Sequence, residues 1–248
     1  MRLPAPMTKP PIGEAPGKAA QVEAMFDEVA PRYDALNRVV SGGIDIWWRK
    51  RAVALLRDGL VGAPDRLLDV ATGTADLAVE MLSLNPREVV GSDISDGMLE
   101  VGRRKLAKKN LDSRITLVQA DAVDMPFEDD AFDGATVSFG VRNFEDLQAG
   151  LRGIRRVLKP GAPLVILETS QPTRFPFTVG YKVYVRHVMP RLGRWFGGNA
   201  EAYEYLPESA QRFPSGEAFL AELRAAGFSD CVARPLTFGA VSLYRGAA

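Results

Sequence analysis

The chain has 248 residues, 46% hydrophobic and 25% charged, with 31 basic side chains against 31 acidic ones. That balance excludes a chain disordered throughout and offers no bulk charge to attract nucleic acid. Its one cysteine, Cys231, excludes an internal disulfide framework, its one histidine, His187, leaves no His/Cys set for zinc, and no apolar run approaches the ~20 residues of a membrane-spanning helix.

The first 17 residues carry Pro4, Pro6, Pro10, Pro11 and Pro16 and no apolar run, which predicts a disordered tail over 1–17 ahead of one domain over 18–248. Val22, Met25, Phe26 and Val29 then recur at helical spacing on one face, and Pro31 ends that helix, the first of an N-terminal helical cap over 18–60. From residue 66 short apolar runs alternate with amphipathic stretches. Leu67 to Ala71, Val89 to Ser92, Ile115 to Gln119, Ala135 to Phe139 and Leu164 to Leu167 read as buried parallel strands. The best-marked helix between them places Leu147, Leu151, Ile154 and Leu158 on one face and stops at Pro160 and Gly161. A helix with Phe219, Leu220 and Leu223 stops at Gly227, and strand candidates follow at 229–235 and 238–245. Strands separated by helices predict an α/β chain of Rossmann-like, doubly wound, mostly parallel type built from right-handed crossovers.

The first strand runs into Asp69-Val70-Ala71-Thr72-Gly73-Thr74-Ala75-Asp76, a turn of small residues where a ligand can approach the backbone around Gly73 closely. Asp93, followed by Ile94, closes the second strand 20 residues after Gly73, the distance at which an acid meets ribose hydroxyls in nucleotide-binding folds of this class. A dinucleotide would bring its pyrophosphate to the helix start, where the Asp76 carboxylate would repel it. Asp69, Asp76, Asp93 and Asp121 together suit a ligand with a positive centre, ribose hydroxyls and an adenine amino group, all of which S-adenosylmethionine has. The plainer alternative is that Asp76 caps a helix and Asp121 starts a loop.

Three segments carry a resemblance: Tyr33-Asp34-Ala35-Leu36-Asn37 followed by Ser41-Gly42-Gly43-Ile44 and Trp47; Ser138-Phe139-Gly140-Val141-Arg142-Asn143; and Arg156-Val157-Leu158-Lys159-Pro160-Gly161 running on to Glu168-Thr169-Ser170. Beyond residue 22 the chain resembles the class I methyltransferases of ubiquinone and menaquinone biosynthesis. The resemblance implies a seven-stranded sheet with an antiparallel last strand, a helical lid over 170–210 before the last two strands, and C-methylation of a prenylated quinol. It also implies S-adenosylmethionine contacts at Thr74, Asp93, Asp121, Ala122 and Ser138. Ala75 and Ala162 stand where the family usually shows glycine, and Asp45 where it usually shows histidine.

Carbon methylation requires a ring carbon made nucleophilic as a quinol oxygen loses its proton, and a phenolic proton has a pKa of ~10, so a base or a cation must stabilise the phenolate. Arg142 and Asn143 follow the fourth strand, at the end where such sheets present residues to ligands. Arg142 is expected to stabilise the phenolate and Asn143 to orient a hydroxyl or a water; arginine, with a pKa above ~12, is a poor literal base. Tyr33 either covers the methyl-transfer site or packs the N-terminal helix onto the sheet. His187 is either the base or a packing residue.

From Thr169 to Ala200 the sequence has no acid, yet carries Arg174, Lys182, Arg186, Arg191 and Arg194 with Phe175, Phe177, Tyr181, Tyr184, Trp195 and Phe196. Such a segment suits a lid on an anionic membrane surface or a buried homodimer interface, and the two are compatible. The expected setting is cytoplasmic, peripherally on the inner face of the membrane, with no nucleic-acid partner. The competing functions are a small-molecule O-methyltransferase and a noncatalytic member of a quinone-synthesis assembly.

Overall fold

The computed structural model describes residues 17–172, 175–184, 209–210 and 212–248. Three helices come first: α1 (Lys18–Val29), α2 (Tyr33–Val40) and α3 (Asp45–Arg57), with a 3-10 turn through Ala30–Arg32 where Pro31 interrupts the first two. Alternation follows: β1 (Arg66–Val70), α4 (Asp76–Met81), β2 (Glu88–Asp93), α5 (Asp96–Lys108), β3 (Ile115–Gln119), β4 (Gly134–Ser138), α6 (Leu147–Val157) and β5 (Pro163–Thr169). The chain ends with α7 (Phe177–Val183), α8 (Glu217–Ala225), β6 (Ser229–Leu236) and β7 (Val241–Ala247). Of the lid expected over 170–210, α7 falls within the described residues. Arg174, Arg186, His187, Arg191, Arg194, Trp195 and Phe196 lie outside them, as does the tail through residue 16.

The sheet has seven strands in the order β3-β2-β1-β4-β5-β7-β6. β3, β2, β1, β4 and β5 pair in parallel, and β7 runs antiparallel to both β5 and β6. Alternate residues of a strand point to opposite faces, and β5 shows the consequence: Leu164 and Ile166 enter one core, Val165 and Leu167 the other. The first core packs under α6 and α8 through Leu151, Ile154, Phe219 and Leu223; the second packs under α3 and α4 through Val53, Leu56, Leu77 and Met81. Burial on both faces is why these strands read as continuous apolar runs rather than alternating ones.

The strand order reverses between β1 and β4, and there the backbone departs from ordinary geometry. Ala71 (φ 52°), Ala75 (φ 68°) and Phe139 (φ 55°) all occupy the left-handed region that L-residues avoid. The sequence assigned Ala71 and Phe139 to strands; each instead turns the chain just after its strand ends. The two turns touch, since a Cβ on Gly140 would lie 2.4 Å from the Ala71 Cβ. Only glycine fits there, and the tight contact fixes the mouths of β1 and β4 against each other.

α1 lies apart from both cores. Its Val22 and Met25 are buried in a small cluster with Phe26, Val29 and Ile94. At one end Lys18 donates to the carbonyls of Phe144 (2.7 Å) and Arg142 (3.2 Å). At the other, Asp27 accepts from the Ser95 hydroxyl (2.6 Å) and the Gly97 N–H (3.0 Å), capping the start of α5 from outside its own segment.

Candidate functional site

Two cavities open at the carboxyl ends of the parallel strands, where ligands bind in open α/β sheets, and both are lined by Tyr33 and Phe139. The first brings together Gly73, Asp93, Ile94, Asp121, Ala122, Ser138 and Asn143, with Val22 and Phe26 of α1 as its roof. Eight of the twelve residues expected at the site therefore meet around one space, if Tyr33 is counted.

Asp93 is the best-defined polar group there. Its Oδ2 accepts the Gly73 N–H at 2.7 Å and its Oδ1 accepts the Ser95 N–H at 3.0 Å, so the carboxylate ties the glycine turn of β1 to the start of α5. Burial pushes its pKa up to about 6, against the pull of those backbone donors. Each carboxylate oxygen keeps acceptor capacity for hydroxyl donors.

Asp69 and Thr74 stand elsewhere. Asp69 is 1% exposed, beneath the turn, where its oxygens accept from the hydroxyls of Thr72 (2.6 Å) and Thr136 (2.7 Å). Burial likewise raises its pKa to about 6. Thr74 donates its hydroxyl to Asp34 (2.5 Å) and accepts from the Lys105 ammonium (3.0 Å), and neither Thr74 nor Asp69 lines the cavity. Asp76 is not the free carboxylate expected at the helix start. Its carboxylate is held by Lys105 at 2.7 Å and Arg49 at 3.2 Å, and these outweigh burial to keep its pKa low, so it does not present an unbalanced negative charge to a ligand. Asp45 extends this network, accepting from Arg49 (2.8 Å) and Ser41 (2.8 Å). A histidine at that position could not accept two such donors while offsetting the arginine's charge.

The second cavity has a volume of about 870 Å³. Leu36, Val40, Trp48, Phe139, Phe177, Tyr181 and Val241 make its wall predominantly apolar, and Arg142 and Asn37 contribute polar groups. Tyr33 lines both cavities and packs edge-on against Phe26 of α1 at 6.0 Å between ring centres. Burial raises its phenol pKa, opposed by a hydrogen bond with Asn37 and by the Arg142 charge.

Arg142, expected to stabilise a phenolate, is itself paired with a carboxylate. Its Nη1 donates to Glu168 Oε1 at 2.5 Å, and the two side chains are 7% and 0% exposed. His187 lies outside the described residues. Asp34, Asn37 and Glu168 belong to segments already singled out in the sequence, yet their partners are set by packing. Lys18, Asp27 and Lys105 carry no local signal at all, being polar residues on helix faces.

The arrangement sets an acidic, glycine-flanked cavity beside a large apolar one, with Tyr33 and Phe139 shared between them and Arg142 on the wall of the second. A demethylmenaquinone methyltransferase of Porphyromonas gingivalis is 44% identical over 231 residues, covering 92% of this chain and 93% of its own. The ubiquinone/menaquinone biosynthesis C-methyltransferase UbiE of Geobacter sulfurreducens is 44% identical over 92% of this chain and 89% of its own. Among solved structures, a SAM-dependent methyltransferase of Thermotoga maritima superposes with a TM-score of 0.62 at 18% identity, covering 91% of this chain and 98% of that one, which shows the shared fold. With the family model matching residues 15–248 and relatives of this similarity spanning nearly all of it, the chain belongs to the ubiE/COQ5 methyltransferase family.

Proposed function

We propose that this chain is an S-adenosylmethionine-dependent enzyme that methylates a ring carbon of a prenylated quinol, converting demethylmenaquinol to menaquinol or acting at the matching step toward ubiquinone. The single observation that carries this is the pair of adjoining cavities sharing Tyr33 and Phe139, one bordered by the acids Asp93 and Asp121, the other predominantly apolar and of about 870 Å³. That size lies within the range of sites that engulf a small ligand, and its wall suits a prenylated ring better than a polar metabolite.

S-adenosylmethionine, when bound, supplies a methyl group made electrophilic by a cationic sulfur. Asp93 would accept the ribose hydroxyls, Asp121, Ala122 and Ile94 would border the base, and Gly73 and Ser138 would allow close approach to the remainder. Asp69 and Thr74 support the turn from beneath and beside it. On the quinol side, Arg142 stabilises the oxygen that becomes negative as its proton leaves, Asn143 orients it, and Tyr33 closes the junction against water. Chromatography and mass spectrometry of demethylmenaquinol incubated with the enzyme and methyl donor test the assignment. Arg142→Ala is expected to lower turnover by ~10²-fold or more while leaving cofactor affinity within about twofold. Wild-type turnover in that variant would remove Arg142 from the chemistry, and methyl found on oxygen would favour the O-methyltransferase.

The enzyme meets its substrate at an anionic membrane surface. No helix among the described residues is long and apolar enough to cross a membrane. Val39, Ile44 and Phe238 are exposed and border the apolar cavity, and Ile46 and Trp47 are exposed on α3. The Arg51 guanidinium lies 5.9 Å from the Trp47 ring centre, and Phe177 stacks on Phe238 at 3.7 Å. An apolar and aromatic rim with adjacent cations supports peripheral docking. Co-sedimentation with anionic vesicles at low salt is expected for the wild type and is expected to fall severalfold for Ile46→Ser with Trp47→Ser. Wild type that stays in the supernatant while sedimenting as a dimer would assign this rim to a second copy of the chain.

A further inference from the structure

The Arg142 guanidinium poses a problem that the proposed reaction leaves open. A long side chain in an apolar cavity has many rotamers, yet stabilising one oxygen requires a single orientation. Glu168 supplies it. The residue is next to last in β5, fully buried, and not a lining residue of either cavity. Its Oε1 receives three donors: Arg142 Nη1 at 2.5 Å, the Thr169 N–H at 2.6 Å and the Thr169 hydroxyl at 3.0 Å. The carboxylate is thus tied to the backbone of its own strand, and the guanidinium is referenced through it to the sheet. Glu168 Oε2 and Arg142 Nε are both buried without a hydrogen-bond partner. The contact is therefore single-pointed: a bidentate fork would use both oxygens and would be the stronger bond. Buried polar atoms left in this state are costly, and a site that keeps them trades stability for geometry.

We propose that Glu168 is the positioning residue of Arg142, holding its guanidinium at Nη1 so that Nη2, rather than the buried Nε, stays directed to the quinol oxygen in the cavity. The carboxylate also balances the arginine's charge before reaction, so the apolar cavity accepts a neutral quinol without an uncompensated cation. The proposal rests on the reading of Arg142 given above, and the experiment separates the two.

Steady-state rates on a short-chain demethylquinol are measured for Glu168→Gln, Glu168→Ala, Arg142→Ala and the double variant with Arg142→Ala, beside cofactor affinity by calorimetry. Glu168→Ala is expected to lower kcat by ~10²-fold, the loss typical of a displaced catalytic group, with KM for the cofactor within twofold. Glu168→Gln keeps the shape and one acceptor oxygen and should recover part of that loss, so it remains readable if the alanine variant does not fold. The double variant should be no slower than Arg142→Ala alone, because two residues acting as one unit do not lose rate twice. Added methylguanidinium should restore activity at least fivefold in Arg142→Ala and not in the double variant, which lacks the carboxylate that would seat it. Wild-type kcat in Glu168→Gln, or losses that multiply in the double variant, would overturn the positioning role while leaving Arg142 in place. Wild-type kcat in Arg142→Ala would overturn both.

Discussion

Asp93→Asn tests the nucleoside site most directly, because the structure fixes what the carboxylate does before any ligand arrives. It accepts the Gly73 N–H at 2.7 Å and the Ser95 N–H at 3.0 Å. Asparagine can accept only one of these with its carbonyl; its amide then faces the other donor. A buried donor left unpaired costs ~1–3 kcal/mol, and lost charge-assisted bonds to the ribose hydroxyls cost ~1.5–3 kcal/mol. The second figure is felt in binding, so the dissociation constant for S-adenosylmethionine should rise ~10- to 150-fold. The wild type carries a second signature. With the carboxyl raised to about 6 by burial, it is roughly 90% ionised at pH 7 and roughly 10% at pH 5. The ionised form is the one that accepts hydroxyls, so affinity is present above the folded pKa and falls as pH drops through it, by ~10-fold between pH 7 and pH 5. The variant lacks this carboxyl and should show a flatter profile, keeping only what Asp69, also raised to about 6 beneath the turn, contributes. Calorimetry at pH 5, 6, 7 and 8 on both proteins gives the comparison. A wild-type affinity that does not change across that range, or a variant that binds as tightly as the wild type at pH 7, refutes the assignment of Asp93.

Two further substitutions probe the backbone. Ala75, at φ 68°, is held in the left-handed region, so Ala75→Gly should relieve strain and stabilise by ~0.5–1 kcal/mol, raising Tm by ~2 °C in thermal unfolding; a lower Tm would mean the alanine methyl packs usefully. Gly97→Ala would bring a Cβ within 2.8 Å of Asp27 Oδ1 and 3.0 Å of Asp27 Cα, lifting α1 from α5. Cofactor dissociation followed by stopped flow should accelerate severalfold, and an unchanged rate would show that α1 docking does not retain the ligand.

The central strands β1, β2, β4 and β5 were legible because burial on both faces leaves an apolar run that needs no partner to be seen; the edge strand β3, Ile115–Gln119, with Thr116 and Gln119 exposed, came out with its observed bounds from its β-branched residues instead. Ala71 and Phe139 were not legible at their strand ends, since both are residues at home in strands and nothing local announces a positive φ imposed by the contact between two turns. The acids divided by the same logic. Asp93 was found from spacing along one βαβ unit, whereas the neutralisation of Asp76 needs Lys105 and Arg49, each more than two dozen residues away and on different helices. Arg142 and Glu168 could be suspected singly from their segments. Their pairing across β4 and β5 follows only from the register that sets Ser138 beside Leu167.

The roof helix has a kinetic consequence. α1 holds two buried apolar side chains, in a cluster separate from both sheet cores, plus polar latches at Lys18 and Asp27. An element with so few buried contacts opens at a free energy well below that of global unfolding. Its amides should therefore exchange with solvent deuterium long before those of β1 or β5, and bound nucleoside should slow them. In the proposed reaction the spent cofactor leaves and a fresh one enters past this roof, while the prenylated product occupies the second cavity. Cofactor exchange is then gated by how often twelve residues at the front of the domain lift and settle, a motion of the microsecond-to-millisecond kind.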